Sequence, residues 1–336
     1  MRRVLAAAGV VVFLGAVPSG TGSTSYHGVR YLMGTWCDLT LFDTPPDDAP
    51  AAVEEAFQEI ARLERVMSTW DPDSELSHIN RAAGTGVQSI SHDLAGVTRT
   101  ALDVCRESGG AFDPTVGPIL HLWGFDTDEP RRPSRAAIDD ARTHVGCDRI
   151  SLSLEPPAIR LPAGTSLDLG GIGKGYAVDR ALDVLRARGI RRAKLDFGSS
   201  SLAFEGLEKG GWPVVLADPR RRDRPLLAFR VEGGSISTSG QRERSFVQDG
   251  RRYGHIVDPR TGEPVQSRLL SVTVIARDGT RADALSTALF VMGADRGMAF
   301  VSGMPGVRAI FVEADRRGGI VLRTAGPIDQ LVRVPS

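Results

Sequence analysis

The stretch from Ser166 to Leu185, SLDLGGIGKGYAVDRALDVL, most constrains this chain because it joins a short apolar run, a glycine-rich loop and a helix. Leu167 and Leu169 flank Asp168 in strand-like alternation, and apolar residues from Tyr176 onward repeat at helical spacing. A strand-to-helix loop points backbone N–H groups and the positive end of the helix at whatever lies above it, which suits a phosphate. The pattern therefore predicts a phosphate site, with a purely structural tight turn as the alternative.

Lys174 favours the phosphate interpretation. It is one of only three lysines in the chain, and its compact charge suits a tight loop better than the bulkier guanidinium of arginine. Two known phosphate motifs do not match: Walker A requires Ser or Thr where Gly175 stands, and a dinucleotide fingerprint starting at Gly171 requires glycine where Tyr176 stands. The loop thus predicts a phosphate site of another kind.

The N-terminal residues predict export. Arg2 and Arg3 precede an apolar run from Val4 to Val17, and Pro18 and a polar segment follow. This order is typical of a signal peptide and the run is short for a membrane span, so we expect residues 1–24 to be a signal peptide and the protein to be periplasmic or secreted. An uncleaved anchor is the alternative. No cysteine lies near the end of the run, which disfavours a lipid anchor.

Composition excludes some partners and favours one continuous fold. The chain has 41 basic and 41 acidic residues, so no net charge favours nucleic acid or an anionic membrane. Helical periodicity predicts helices over about 51–67, 93–108, 136–144 and 281–292, and alternation predicts strands near 36–41, 193–197, 212–217, 226–231 and 270–276. We predict a mixed α/β (α+β) domain over residues 28–330.

The three cysteines, Cys37, Cys105 and Cys147, are widely spaced and odd in number. Two of them could pair in an exported chain, but their spacing indicates no metal site. Buried thiols are the favoured interpretation.

The segment YGHIVDPRTG carries candidate acid–base chemistry. His255 lies three residues ahead of Asp258, and Pro259 and Gly262 favour a turn. A histidine beside a carboxylate can remove a proton from a hydroxyl while the carboxylate orients its ring. The alternative is a hydrogen-bonded loop histidine.

The segment RADALSTALFVM predicts a helix in which Asp283 and Thr287 are four residues apart and therefore share a face. Two hard oxygen ligands at a helix start suit Mg²⁺ beside a phosphate. Asp and Thr are also common helix caps, so a capping role is the alternative.

Eight segments, in order, resemble the motif series of the ApbE family, the FAD:protein FMN transferases. They are MGTWCDLTL, MSTWDPDSELSHIN, GAFDPTVGPIL, DLGGIGKGYAVD, STSG, YGHIVDPRTG, SVTVIA and ADALSTALFVMG, spread over about residues 29–322. The resemblance implies a two-lobed α/β enzyme, exported in bacteria, that cleaves the FAD pyrophosphate with Mg²⁺. Such an enzyme joins FMN through its phosphate to a Thr or Ser hydroxyl of an acceptor protein, within a Ser/Thr-Gly-Ala-Thr-like segment, and releases AMP.

The resemblance also implies roles for individual residues. Metal ligands would be Asp283, Thr287 and a backbone carbonyl near Gly173, and the catalytic residues would be His255 and Asp258. The residues implied to bind FAD are Met33, Gly34, Thr35, Trp70, Asp113, Asp168, Gly171, Lys174 and Ser239.

The chain departs from the family pattern at three places. Gly198, Ser199 and Ser200 stand where Gly-Gly-Asp is common, Trp70 occupies an aromatic or amide position, and the lipoprotein cysteine is missing. Two other functions remain open: an Mg²⁺-dependent FAD pyrophosphatase that yields FMN and AMP, and a periplasmic flavin-binding protein without catalysis.

Overall fold

The computed structural model describes residues 12–14, 25–127, 129–241, 245–328 and 330–334. Apart from residues 12–14, the predicted signal peptide lies outside this part of the chain. The described helices are α1 (Ala49–Met67), α2 (Glu75–Arg81), α3 (His92–Glu107), α4 (Gly117–Trp123), α5 (Arg135–Arg142), α6 (Gly173–Ala187), α7 (Gly279–Met292) and α8 (Ala294–Ser302).

Nine strands form one antiparallel sheet in the order β1-β2-β3-β7-β8-β11-β16-β17-β18. They are β1 (Val12–Leu14), β2 (Ser25–Leu32), β3 (Thr35–Phe42), β7 (Ala193–Phe197), β8 (Ser201–Glu205), β11 (Gly234–Gly240), β16 (Leu269–Ala276), β17 (Arg308–Ala314) and β18 (Ile320–Ala325). The smaller sheets contain β4 (Gln88–Ser89), β5 (Ser151–Leu154), β6 (Pro157–Arg160), β9 (Trp212–Asp218), β10 (Arg221–Val231), β12 (Ser245–Gln248), β13 (Arg251–Gly254), β14 (Val257–Asp258), β15 (Glu263–Pro264) and β19 (Val332–Arg333).

The large sheet is buried on both faces, as strand β17 shows. Ala309 and Phe311 join the core under the helices, whereas Ile310 and Val312 join a second core on the opposite face. Successive side chains of a strand point to opposite faces, so one apolar run can serve two cores. Helices α1, α6 and α7 cover one face, and the β9–β10–β19 sheet covers part of the other.

A third apolar cluster forms a smaller lobe around α4, α5 and the β12–β13 hairpin. At its centre the Trp123 indole lies 5.4 Å from the Tyr253 ring and donates a 2.8 Å hydrogen bond to the Gly262 carbonyl. This bond ties the lobe to the turn that follows His255. The mixed α/β prediction is confirmed.

Local patterns predicted helices α1, α3, α5, α6 and α7, but they did not predict α4 or α8. The predicted helix over 51–67 is α1, and its apolar stripe is fully buried: Val53, Phe57, Ile60 and Leu63. Ser74 caps α2 by accepting a hydrogen bond from the Ser77 N–H at 3.0 Å. Among the described residues, no helix is both long and apolar enough to cross a membrane.

The cysteine prediction was partly wrong. Cys37 is a buried free thiol, as expected, but Cys105 and Cys147 form a disulfide across 42 residues. The bond joins the last turn of α3 to a 3₁₀ turn, Cys147–Arg149, and only the folded chain brings these two segments together.

Candidate metal and nucleotide site

Helix α7, which carries Asp283 and Thr287, is capped twice at its start. Asp278 accepts a hydrogen bond from the Arg281 N–H at 2.8 Å. Asp179 of α6 accepts from the Gly279 and Thr280 N–H groups at 2.7 and 2.8 Å, and from the Thr280 hydroxyl. A helix leaves its first N–H groups without intrahelical partners, so these carboxylates anchor α7 against α6.

The Asp283 carboxylate is buried, with only 6% of the residue exposed. One oxygen accepts a hydrogen bond from the Ser237 hydroxyl of β11 at 2.7 Å, and the other accepts from the Gly175 N–H of α6 at 3.0 Å. These bonds use two of the roughly four acceptor positions of a carboxylate. The group can therefore accept a further ligand without giving up either bond.

Hydroxyl groups continue the site from Asp283 toward Thr287. Ser239 Oγ lies 2.7 Å from Ser286 Oγ and 3.2 Å from Thr287 Oγ1, and Ser286 donates to the Asp283 carbonyl. Strand β11 alternates, so both Ser237 and Ser239 face α7. A buried carboxylate among hydroxyl groups is a set of hard oxygen donors, and this set fits Mg²⁺.

Two glycines of the 170–175 loop allow close packing, and residues 170–172 form a turn, as the structural alternative predicted. A Cβ on Gly175 would lie 2.0 Å from the Gly279 carbonyl oxygen, so glycine is required where α6 crosses α7. A Cβ on Gly171 would lie 3.1 Å from Phe112 and 3.2 Å from Thr287 Oγ1. Gly173 has more room, since an added Cβ would meet Met67 at 3.9 Å.

The run before the loop is not a strand, contrary to its alternating pattern. Asn80 uses its side chain to bond both the N–H and the carbonyl of Leu167 at 2.8 Å, and Asp168 donates its N–H to the Pro114 carbonyl at 2.8 Å. Only Ser166 forms a β-bridge, with Val116. Side-chain and loop partners thus replace the ladder that the pattern predicted.

The start of α6 also differs from the predicted phosphate cradle. Gly173 donates its N–H to the Leu169 carbonyl at 2.7 Å, and Gly175 donates to Asp283. The positive helix end therefore stabilises a carboxylate of the protein itself. Lys174 is half-buried and precedes Gly175, whose N–H donates to Asp283. Among the described residues, none forms a hydrogen bond or an ion pair with the Lys174 ammonium.

A cleft of about 320 Å³ lies beside residues 166–168, which precede the glycine loop. Trp70, 54% exposed, and Asp168 line it, together with Asn80, Arg81 and His121. An aromatic face beside polar groups is typical of a small-molecule site. The structure thus brings two predicted FAD residues to one cleft, adjacent in sequence to Gly171.

Met33, Gly34 and Thr35 form the β2–β3 turn. Met33 and Gly34 both have positive φ angles, 47° and 76°, and such a conformation is unfavourable for methionine. Thr35 packs so closely on Gly198 that a Cβ there would lie 2.3 Å from its hydroxyl. Strands β3, β7, β8 and β11 are neighbours in the sheet, and their register aligns the start of β3 with the end of β11. The β2–β3 turn and Ser239 therefore lie at the same edge of the sheet.

The 198–200 turn, where the chain departs from the family pattern, is held by its own contacts. Ser199 has a φ of 58° and donates its N–H to Asp196 at 2.8 Å. The Ser200 carbonyl accepts from the Thr238 N–H at 2.7 Å. The turn therefore supports β11 next to Ser239.

His255 follows β13 and is half-buried. Gly254, just before it, packs against Gln241, which follows the end of β11; a Cβ on Gly254 would lie 3.2 Å from the Gln241 carbonyl oxygen. Arg260, in the same loop, lies beside Gly110. The loop thus bridges the end of β11 and the residues before Phe112.

The Asp258 carboxylate is paired with Arg260 of its own loop. Both carboxylate oxygens accept hydrogen bonds from the Arg260 guanidinium at 2.8 Å, and one also accepts from the Arg260 N–H. This bidentate pair closes the turn after β14. Asp258 therefore shapes the loop that carries His255.

Asp113, predicted to contact FAD, is buried within the protein. Its oxygens accept from the Thr115 N–H and hydroxyl and from the Cys147 N–H, at 2.6 to 3.1 Å. Burial raises the pKa of the Asp113 carboxyl, and these hydrogen bonds oppose the rise. Asp113 is therefore a structural anchor for its loop.

Sequence reasoning missed three residues that build the site: Asp179, Ser237 and Phe112. Asp179 and Phe112 lie within the motif segments DLGGIGKGYAVD and GAFDPTVGPIL, and Ser237 is the first residue of STSG. Their positions within these motif segments could have identified them from the sequence. Their partners could not be identified in this way, because Ser237 bonds to a residue 46 positions away and Asp179 to one 101 positions away.

We expect Asp179→Ala to destabilise the protein by about 1 to 3 kcal/mol, because two N–H groups at the start of α7 would lose their acceptor. Asp183→Ala is the matched control on the same helix, since Asp183 is exposed and forms surface ion pairs with Arg180 and Arg186. Urea unfolding of the two variants measures the difference. Equal stabilities would contradict the anchoring role.

Comparison with known proteins gives the family. The ApbE family pattern matches residues 33–311. The FAD:protein FMN transferase of Treponema pallidum (strain Nichols) is 34% identical over 324 residues, covering 91% of this chain and 88% of that protein. The FAD:protein FMN transferase of Klebsiella pneumoniae (strain 342) is 30% identical over 292 residues, covering 84% and 83%.

Solved structures agree. The ApbE protein of Thermotoga maritima superposes with a TM-score of 0.80 at 32% identity, covering 88% of this chain and 96% of that one. The flavin transferase ApbE of Vibrio cholerae has a TM-score of 0.78 at 27% identity, covering 94% and 97%.

The fold and these relatives define the chain as an α/β enzyme, and the predicted class, a transferase, is confirmed. The chain belongs to the ApbE family.

Proposed function

We propose that this protein transfers FMN from FAD to a Ser or Thr hydroxyl of an acceptor protein, with Mg²⁺, and releases AMP. The observation that carries the proposal is the buried Asp283 carboxylate, held by Ser237 and Gly175 beside the hydroxyls of Ser239 and Thr287. The two hydrogen bonds use two of the roughly four acceptor positions of this carboxylate, so it can bind a hard cation together with the neighbouring hydroxyl oxygens. The names of the relatives supply the substrate class.

Asp283, Thr287 and the Gly173 carbonyl would hold Mg²⁺, which when bound neutralises charge on a pyrophosphate. Hydroxyls of Ser239 and Ser286 fix the orientation of Thr287 through the contacts described above. Lys174, one residue after Gly173, would add a positive charge for the phosphates.

The cleft beside Asp168 would receive the flavin, with Trp70 as an aromatic face for the isoalloxazine ring. Gly171 follows Asp168 by three residues, so a bound dinucleotide would run from the cleft toward Thr287. The strained Met33–Gly34 turn and Thr35 would border the nucleotide. Asp113 would contribute by holding its loop.

His255 would act as the general base. An imidazole nitrogen takes the proton of the acceptor hydroxyl, the hydroxyl oxygen bonds to the phosphorus of the FMN half, and the bond from that phosphorus to the AMP oxygen breaks. Asp258 and Arg260 would hold the loop and so fix where His255 lies.

The deciding experiment incubates the protein with Mg²⁺ and FAD, with and without an acceptor protein bearing a Ser/Thr-Gly-Ala-Thr-like segment. We expect AMP release to depend on the acceptor and the acceptor to gain the mass and fluorescence of FMN. Rapid accumulation of free FMN without acceptor would instead support the FAD pyrophosphatase. Binding of FAD with no AMP under either condition would support a flavin-binding protein.

We also propose that the protein is exported and its N-terminal segment removed. Arg2, Arg3 and the apolar run to Val17 support this, and the Cys105–Cys147 disulfide suits an oxidising compartment. We expect the intact mass of the periplasmic protein to show that residues 1–24, or a segment of similar length, have been removed. Recovery of Met1 on periplasmic protein would exclude cleavage, and purely cytoplasmic protein would exclude export.

A further inference from the structure

The disulfide belongs to a buried polar cluster. Cys147 donates its N–H to Asp113 at 3.1 Å, and Gly146 donates its N–H to the Thr115 hydroxyl oxygen at 2.7 Å. That hydroxyl in turn donates to Asp113 at 2.6 Å. Thr115 is fully buried and Asp113 is 6% exposed, so two consecutive amides beside the disulfide are fixed to the 113–115 segment away from water.

The same segment contacts the site on its other side. The Pro114 carbonyl accepts the Asp168 N–H at 2.8 Å, and Asp168 accepts the Gly170 N–H at 2.9 Å. Phe112 lies against Gly171, where an added Cβ would be 3.1 Å from the ring. Residues 112–116 thus connect the disulfide to the residues that border the cleft and Thr287.

We propose that the Cys105–Cys147 disulfide, acting through Asp113, is a positioning element for the FAD site. The disulfide holds the 146–147 turn in place, and this turn holds the 112–116 segment. The segment in turn determines the positions of Asp168 and Gly171. This inference rests on the proposed function, since it concerns the affinity for FAD.

The disulfide matters for FAD binding because the other contacts between the 146–147 turn and the 113–115 segment are weak. Without the disulfide, the turn is joined to the 113–115 segment by the Gly146 and Cys147 hydrogen bonds, and the net contribution of a single hydrogen bond to stability is small. Asp113 would then keep a buried carboxylate with fewer ordered donors, which favours local opening. An open segment lowers the fraction of protein competent to bind, and the apparent affinity falls by that fraction.

The test compares Cys105→Ala/Cys147→Ala, Asp113→Asn and all three substitutions together. We expect the KM and Kd for FAD to rise about tenfold in the double variant, with kcat at saturating FAD within about twofold of wild type, because bound FAD restores the ordered segment. We expect Asp113→Asn, with its disulfide intact, to raise KM as well. In the combined variant, the increase in KM should be much smaller than the product of the two separate increases, because both changes disrupt the same connection between the disulfide and the FAD site.

Leu227→Ala is the control. Leu227 is 1% exposed in the core between the two sheets, so its truncation lowers stability without contact with the site. A disulfide that only stabilises the fold would lower Tm, as this control does, and leave KM unchanged at 25 °C.

An unchanged KM in the disulfide variant, or in Asp113→Asn if the disulfide variant does not fold, would overturn the proposal. A combined variant whose increase in KM equals the product of the two separate increases would also overturn it. Wild-type protein that neither binds FAD nor transfers FMN would instead contradict the proposed function.

Discussion

Asp283→Ala is expected to reduce FMN transfer by about 10³-fold or more. The substitution removes the charged oxygen of the proposed Mg²⁺ set, and the electrostatic contribution of a catalytic metal amounts to several kcal/mol, with about 1.4 kcal/mol for each factor of ten in rate. It also leaves the Ser237 hydroxyl and the Gly175 N–H without their acceptor. Transfer is measured as acceptor-bound flavin over a series of Mg²⁺ concentrations.

Two further variants separate the metal from the fold. Asp283→Asn keeps the shape and one hydrogen-bond acceptor but not the charge, so we expect a folded protein with nearly the same loss. Thr287→Ala should retain activity and require more Mg²⁺. Asp295→Asn, at a residue whose carboxylate is 89% exposed, is the matched control and should behave as wild type. Wild-type rates for both Asp283→Ala and Thr287→Ala at limiting Mg²⁺ would exclude this metal site.

His255→Asn is expected to lower transfer by roughly 10²- to 10⁴-fold with FAD affinity nearly unchanged. Asparagine keeps a similar size and a hydrogen-bonding group, but it cannot accept a proton near neutral pH. The rate of the wild-type enzyme should rise with pH as the imidazole loses its proton, and this rising limb should vanish in the variant.

The control for this prediction is His92→Asn, because His92 is exposed at the start of α3. It should leave both the rate and the pH profile unchanged. Loss of FAD binding in His255→Asn would indicate a binding role for His255. A rising limb that persists in the variant would show that another group accepts the proton.

Local patterns determined the helices of this protein. The stripe of α1, the cap at Ser74 and the four-residue spacing of Asp283 and Thr287 depend on residues within a few positions of one another. Helical geometry repeats every 3.6 residues, so such patterns are readable without knowledge of the rest of the fold. The order of motif segments similarly indicated the family, and the comparisons confirmed it.

Patterns alone did not show why Gly175 is needed, and they gave the wrong structure for the residues before the loop. Gly175 is required by the approach of α6 to α7, and the 166–169 run is held by Asn80 and Pro114 in place of a strand partner. Alternation shows which side chains share a face, but it does not show whether a partner strand exists. Both outcomes depend on segments far away in sequence.

The site itself was decided by the tertiary structure. Asp283 meets Ser237 across 46 residues and Gly175 across 108, and Cys105 pairs with Cys147 rather than Cys37 across 42. Residue type and spacing determine what a side chain can do, whereas its partner is determined by how helices and sheet pack, because packing brings distant segments within hydrogen-bond distance.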